Sequence, residues 1–428
     1  MAPTALDFQL ENPEPYYPSP NVAKIVQRIN NFFAAQDLKC RKAEIICQGK
    51  STSLCCALII KVVLDASSVG NGKQLEALAE RCFIARVDFP FLVLTTERLS
   101  SVPWKLSSEV ATMRYLKQNT SIPIPEIYFY DEDLDHEVGG PWMLMEFIHG
   151  QSVMHAFPGM TSEQKHSICE SIADYWNQLL SLRFENIGSL AFDDKGDIVI
   201  GPLSMKVYSS HSDIIPPSRD KCGPFATVRE WLLAVAKREL RYQSVPELQN
   251  SAEEEARVAE RSRQVEATVA SLSEQPLLWK GQPTHPLALN PPGFRHHNVL
   301  VSIDDPTRIL AVIDWEGTTT SPIWEIFKRL DFFFGGRFLS TTEEAAREAK
   351  ELNLVIWRKA SKLNSEWADA MACGGSLRNA YRLAEMSDWD PNKYTLKRPG
   401  AVHGTLSISS SVFISVTDYT QLLIRETL

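Results

Sequence analysis

The amino-acid sequence predicts an α+β protein in two parts, a small sheet-containing region over residues 1–147 and a larger, mainly helical one over 148–428. Three observations predict it. Between Ala43 and Pro90, short apolar runs are bounded by turn residues, which is how strands read. After Gly150 apolar residues recur instead at helical spacing. Late in the chain, Val299-Leu300-Val301 and Ile309-Leu-Ala-Val-Ile313 flank the turn Asp304-Asp305-Pro306-Thr307 and place a strand pair among the helices. With 428 residues, 44% of them hydrophobic, the chain can bury one large core or two.

In order along the chain, Val22, Ile25, Val26, Ile29, Phe32 and Phe33 mark a first helix. Ala43–Cys47 and Leu54–Val63 flank Gln48-Gly49-Lys50-Ser51-Thr52 as a hairpin, and Ala66–Gln74 reads as a loop. Arg81-Cys-Phe-Ile-Ala-Arg86-Val-Asp-Phe-Pro90 is a strand closed by proline. Leu106–Leu116 is helical, with Val110, Met113 and Leu116 on one face and Glu109 beside it. Ile122-Pro-Ile-Pro125 forces extended chain, and Trp142–Ile148 is a buried strand ending at Gly150. Thr161-Ser-Glu-Gln164 has the form of a capping box before a long helix marked by Ile168, Ile172, Tyr175, Trp176 and Leu179. Residues 250–270 carry Glu254, Arg257, Glu260, Arg261 and Arg263 as a solvated helical face. Further helices run from about Glu343. Ala401–Leu428 matches no element.

Charge and cysteine usage narrow the function classes. A net charge of −9 with 23% charged residues predicts neither a disordered tail nor a nucleic-acid binder. The eight cysteines are scattered without a C-x-x-C pair, so reduced thiols are expected, and not a disulfide framework or zinc site. Met1–Pro20 is acidic and proline-rich with no apolar core, so no signal or transit peptide is expected there. No apolar run reaches the ~18 residues of a spanning helix. The expected compartment is therefore the cytoplasm, with no membrane partner.

The most informative stretch is Gly293-Phe-Arg-His-His-Asn298-Val-Leu-Val followed by Val312-Ile-Asp314-Trp-Glu316. An Asn and an Asp at the ends of two paired strands can grip one Mg²⁺, because a hard cation takes oxygen ligands and keeps waters and substrate phosphates. That is the metal half of a phosphoryl-transfer site. Upstream, Gly49 stands in the hairpin turn, Arg86 on the third strand, Glu109 on the next helix, and Glu146-Phe147 at the boundary between the two parts. A glycine lets backbone approach phosphates. A strand cation neutralises their charge, and a helical carboxylate fixes that cation. The boundary strand offers backbone groups to adenine. Gly49-Lys50-Ser51 is not a Walker A loop, since Glu44 stands where its first glycine belongs.

These segments resemble the aminoglycoside phosphotransferase-like family of the protein-kinase-like fold, in particular its group from filamentous fungi. The resemblance rests on Phe83-Ile-Ala-Arg86-Val, Ser108-Glu-Val-Ala-Thr-Met113, Ile122-Pro-Ile-Pro125, Pro141-Trp-Met-Leu-Met-Glu-Phe147, Asn186-Ile-Gly-Ser-Leu190, Asn298-Val-Leu-Val301 and Val312-Ile-Asp-Trp-Glu316, over about residues 40–335. It implies a two-lobed fold with ATP in the cleft. It puts Arg86 and Glu109 at the cation–carboxylate pair, Asn298 and Asp314 at the metal ligands, and Arg295 where many kinases hold a γ-phosphate-contacting cation.

The departure lies five residues before Asn298, where family members carry the catalytic Asp and this chain has Gly293 after Pro291-Pro292. Glycine cannot take a proton. General-base loss costs ~10²–10⁴-fold, or about 3–5 kcal/mol of barrier. Phosphoryl transfer depends chiefly on positioning and charge neutralisation, so binding of ATP and Mg²⁺ is expected to survive better than turnover. His296 or His297 is a candidate substitute base, and Gly293→Asp is expected to raise activity if the missing base limits the rate. Two functions stay open: an ATP- and Mg²⁺-dependent phosphotransferase acting on a small-molecule hydroxyl, or a pseudokinase that binds nucleotide or a partner. The sequence assigns neither the acceptor nor the oligomeric state.

Overall fold

A computed structural model describes residues 20–34, 40–50, 55–64, 80–88, 91–94, 97–101, 104–133, 137–204, 206–209, 221–243, 252–274, 276–326, 332–333 and 343–385. The expected loop Ala66–Gln74 and the segment Ala401–Leu428 lie outside the described residues.

In chain order, α1 (Val22–Ala34) precedes β1 (Cys40–Lys50), β2 (Cys55–Leu64) and β3 (Glu80–Asp88). Next come β4 (Phe91–Leu94), β5 (Glu97–Ser101), α2 (Lys105–Asn119), β6 (Ile127–Asp131) and β7 (Trp142–Glu146). A two-residue strand, β8 (Gln151–Ser152), leads into the one-turn α3 (Val153–Ala156) and the long α4 (Ser162–Ser181). After these stand β9 (Ser189–Phe192), β10 (Ile198–Gly201), β11 (Lys206–Ser209), α5 (Val228–Gln243) and α6 (Ala252–Glu274). The chain continues through β12 (Leu287–Asn290), β13 (Val299–Val301), β14 (Ile309–Val312), β15 (Thr319–Pro322) and α7 (Ile323–Ile326). It closes with α8 (Glu343–Leu363), α9 (Glu366–Cys373) and α10 (Gly375–Glu385). The class is α+β: helix α2 stands in sequence between strands of an antiparallel sheet, and mainly helical chain with short strand pairs follows. Among the described residues no helix is long and apolar enough to cross a membrane.

The first sheet has the order β1-β2-β3-β7-β6, antiparallel throughout. Apolar residues of β3 and β7 (Phe83, Ala85, Val87, Trp142 and Leu144) face Ile25, Ile29 and Phe33 of α1, which recur at helical spacing and are all buried. Phe33 lies 5.5 Å from Phe83 between ring centres. Helix α2 is buried on nearly every side, including Ser108, Glu109 and Thr112. Its buried charges, Lys105 and Glu109, therefore need internal partners. Gly49 departs from expectation. It is not in the turn but in β1, paired with Ala57, and the ladder continues to Lys50 opposite Cys56. The expected turn residues Ser51 and Thr52 lie outside the described residues.

Two compact units are present. The described residues within Met1–Ala226, Pro286–Ser321 and Arg329–Leu363 form the first, and those within Thr227–His285, Pro322–Lys328 and Asn364–Leu428 the second. In the first, α4 starts with the expected capping box, Thr161 and Gln164 exchanging side chain–backbone hydrogen bonds, and α8 lies along α4 through Lys165–Glu348 (2.7 Å) and Lys359–Asp174 (2.9 Å). Strands β14-β13-β8 form a small sheet, with Val299 opposite Val312. In the second unit, Trp231 stacks on Tyr381 at 4.8 Å. There the Arg378 guanidinium donates to the carbonyls of Trp324, Ala370 and Met371.

Ile29 is fully buried between Ile25 and Phe33 in the row of α1 that joins the sheet's core. Ile29→Ala is expected to cost about 2–5 kcal/mol through the cavity it leaves. The readout is a lower urea midpoint with unchanged slope; an unchanged midpoint would mean that α1 contributes nothing to this core.

Candidate functional site

Every residue that the sequence assigns to the site belongs to the first unit. Antiparallel register across the sheet sets one row: Gly49 opposite Ala57, Ala57 opposite Arg86, Arg86 opposite Met143. Arg86 thus sits at mid-sheet, 9% exposed. Its Nη1 donates to Glu109 Oε1 at 2.8 Å, and its Nη2 pairs with Glu109 Oε2, a two-pronged geometry that only a guanidinium supplies. Burial pushes the Glu109 carboxyl up, and the Arg86 charge and hydrogen bonds work against that shift. Breaking such a buried pair from one side costs about 3–5 kcal/mol, because the remaining charge is left unpaired.

The pair is not alone. Arg86 Nε lies 3.2 Å from Asp88 Oδ1, while Asp88 Oδ2 takes Lys105 Nζ at 2.8 Å. Lys105 Nζ also reaches Glu316 Oε2 at 2.6 Å. At 3% exposure Lys105 loses nearly all hydration, which works to lower its pKa. The carboxylates of Asp88 and Glu316 outweigh that loss and hold the ammonium above its ordinary range. Sequence reasoning missed Asp88, Lys105 and Glu316 as members of the site. Each had a positional signal: Asp88 is two residues after Arg86, on the same face of a strand, and Lys105 is one helical turn before Glu109. Glu316 follows Asp314 by two.

The second half of the site hangs on β13 and β14. Asn298 immediately precedes β13, and its Nδ2 donates both to Asp314 Oδ2 (2.9 Å) and to the Gly293 carbonyl (2.9 Å). Its own carbonyl accepts from Ile313 N at 2.9 Å. Asp314 lies two residues past β14 with φ of +64°, a left-handed conformation uncommon for a residue with a side chain. The turn is backed by aromatic packing. Phe294 stacks on Trp315 (6.1 Å) and touches Trp176 (5.1 Å) and Phe332 (6.0 Å). Val312 N donates to the Pro123 carbonyl at 2.9 Å, so the Ile122-Pro-Ile-Pro125 segment is bonded to the strand that delivers Asp314.

Arg295 is half-buried in the loop between Gly293 and Asn298. Glu146 ends β7, its N–H donating to the Glu126 carbonyl (2.8 Å) and its carboxylate accepting from Glu126 N (3.1 Å). Phe147 lies past the end of that ladder, its ring edge-on to His149 at 4.7 Å. The adjacent histidines differ. His296 is buried, with Nδ1 on the Phe332 carbonyl at 3.2 Å, and burial lowers its pKa to about 4. His297 is exposed. Its pKa is lowered by partial burial, with Asp314 acting in the opposite direction.

Gly293 has a specific steric reason to be glycine. A Cβ at this position would lie 2.2 Å from the Asp314 carbonyl oxygen and 3.3 Å from its Oδ2. Any side chain here must move the Asp314 backbone. An Asp at this position therefore needs a backbone shift beside the metal-ligand turn, and Gly293→Asp tests that shift together with the missing base.

A family model described as "Phosphotransferase enzyme family" matches residues 80–351. Among curated proteins, the chain is 33% identical over 127 residues to "Altered inheritance of mitochondria protein 9, mitochondrial" of Candida albicans, covering 28% of this chain and 20% of the relative. The protein of that name from Zygosaccharomyces rouxii is 28% identical over 182 residues, covering 40% and 28%. The chain therefore spans under a third of the length of these relatives. Among solved structures, aminoglycoside phosphotransferase APH(4)-Ia matches at 14% identity and a TM-score of 0.40, covering 83% of this chain and 98% of the other.

Two substitutions read this packing directly. Gly293→Ala is expected to destabilise by about 1–3 kcal/mol through overpacking against the Asp314 carbonyl; a wild-type denaturation midpoint would mean the loop relaxes freely. For His296, the pKa is depressed in the folded state, so the unfolded chain takes up the proton first and stability falls with pH between its ordinary value of 6.5 and about 4. His296→Gln is expected to lose less stability than wild type over that window, measured by urea unfolding at several pH values. Equal losses would remove His296 from the cause.

Proposed function

The chain belongs to the phosphotransferase enzyme family, and from that premise we propose that it is a Mg·ATP-dependent phosphotransferase acting on a hydroxyl of a small molecule. The observation that carries this reading is the 2.9 Å meeting of Asn298 and Asp314 at the ends of two paired strands. Both amide hydrogens of Asn298 are committed, to Gly293 and Asp314, which leaves its Oδ1 as the atom for a cation. The donor set fits Mg²⁺: it offers one carboxylate and one amide oxygen. Among the described residues no group of three or more His, Cys, Asp or Glu could cage a metal. A small, strongly hydrated ion needs few protein ligands and completes its shell with water and phosphate oxygens.

Such an ion supplies charge neutralisation along the phosphates. The chain's own residues do the rest. Arg86, fixed by Glu109, offers its guanidinium to the α- and β-phosphates, with Gly49 two strands away in the same row. Arg295 contributes positive charge at the transferred group, and the backbone at Glu146 and Phe147 serves adenine. His296 is spent on the core, so of the two histidines only exposed His297 remains as a side-chain base.

One observation favours a second reading. A Cβ at Gly293 would meet the Asp314 carbonyl oxygen at 2.2 Å, so a carboxylate at the base position would need a backbone shift, which suits a pseudokinase that keeps Mg·ATP without efficient transfer. No nucleic-acid or membrane partner is proposed. The compartment proposed is the cytoplasm, and cell fractionation tests it against the mitochondrion that appears in the relatives' names.

Mg·ATP at about 100 times its Kd is expected to stabilise the protein by about 2.7 kcal/mol, seen as a raised melting temperature. The Mg²⁺-dependent part should vanish in Asp314→Ala. No shift in the wild type would overturn both readings. ATP turnover over a panel of alcohols, sugars and amino alcohols then separates transferase from binder.

A further inference from the structure

The buried ionic chain Arg86–Asp88–Lys105–Glu316, with Glu109 on Arg86, is more than pairing of stray charges. Three elements each contribute two members. On β3 these are Arg86 and Asp88, on α2 Lys105 and Glu109, and after β14 Asp314 and Glu316. In each case one member lies in the proposed phosphate or metal machinery. The other is turned inward, to a carboxylate or ammonium of a neighbouring element at 2.6–2.8 Å. Periodicity explains the first two pairs: i and i+2 share a strand face on β3, and i and i+4 share a helix face on α2.

Stability does not explain them. Buried ions lose hydration that their mutual attraction barely repays, and apolar residues of similar volume often stabilise more. What the chain gains is a fixed distance. Asp314 stands beyond the end of β14 in a left-handed conformation, so strand pairing does not hold it. Its turn is gripped upstream by Asn298 and downstream, two residues on, by the Glu316–Lys105 contact.

We propose that Lys105 is a positioning residue: its ammonium, clamped between Asp88 and Glu316, ties the Asp314 turn to the Arg86–Glu109 pair so that metal ligand and phosphate cation are set together. This rests on the Mg·ATP reading above. Lys105, 3% exposed and paired with Asp88 and Glu316, acts through those carboxylates. Its loss spares the separate halves of the site and spoils their registration, so the cost falls on the metal-dependent part of nucleotide binding.

The test is the affinity of ATP, by calorimetry with and without saturating Mg²⁺, for the full chain and for Lys105→Met, Lys105→Arg and Glu316→Gln. In Lys105→Met and Glu316→Gln the gain in affinity on adding Mg²⁺ is expected to shrink about 10-fold, while Mg²⁺-free affinity stays within about threefold. Lys105→Arg keeps the charge and should keep most of the gain. If Lys105→Met does not fold, the isosteric Glu316→Gln carries the measurement. An undiminished Mg²⁺ gain in the variants, or equal losses with and without Mg²⁺, overturns the proposal while leaving the Mg·ATP reading intact. Lys105→Arg behaving as Lys105→Met would also overturn it. A wild type that binds no Mg·ATP removes the parent reading and this one with it.

Discussion

Asp314 adopts a backbone conformation that most residues with a side chain avoid, and the neighbourhood is arranged around keeping it there. Upstream, Asn298 divides its amide between the Asp314 carboxylate and the Gly293 carbonyl. Beneath, Trp315 and Phe294 stack within an aromatic cluster reaching Trp176 and Phe332. Downstream, Glu316 enters a buried ionic chain. Strain at one residue is thus held by amide hydrogen bonds, aromatic packing and charge, each drawn from a different part of the chain. Over-determination of this kind is how uncommon backbone geometry persists at sites that bind or react.

The ionic chain has a second property. It counts two cations, Arg86 and Lys105, against three carboxylates, Asp88, Glu109 and Glu316. Its far end lies two residues from Asp314. A local excess of negative charge beside a metal-ligand pair favours a cation there, although the net charge of −9 says nothing by itself about that location.

What the sequence revealed follows from the range of the interactions. Helix α1, the capping box of α4 and the β13–β14 pair were legible because each is set by residues a few positions apart. Gly49 was misplaced because residue type proposes a turn, whereas strand register decides where it falls. The pairing of β5 with β11 was not foreseen. It joins residues about 100 positions apart, and neither strand has a long alternating pattern to advertise it. Asp88, Lys105 and Glu316 were opaque for the same reason. Each alone is an ordinary charged residue, and only their convergence removes them from water. Arg86, Glu109, Asn298 and Asp314 could be singled out because order along the chain and local context constrain them jointly.

The contact between Gly293 and the Asp314 carbonyl bears on how this lineage can change. At most loop positions an acid can be gained or lost in one step, with function as the only filter. Here a Cβ at residue 293 would lie 2.2 Å from the Asp314 carbonyl oxygen, which makes residues 293 and 314 a coupled pair: a larger residue at the first requires a backbone shift between them. A mutational step toward a carboxylate at this place therefore also disturbs the Asp314 turn. That coupling is written into backbone geometry and is independent of which acceptor the protein uses.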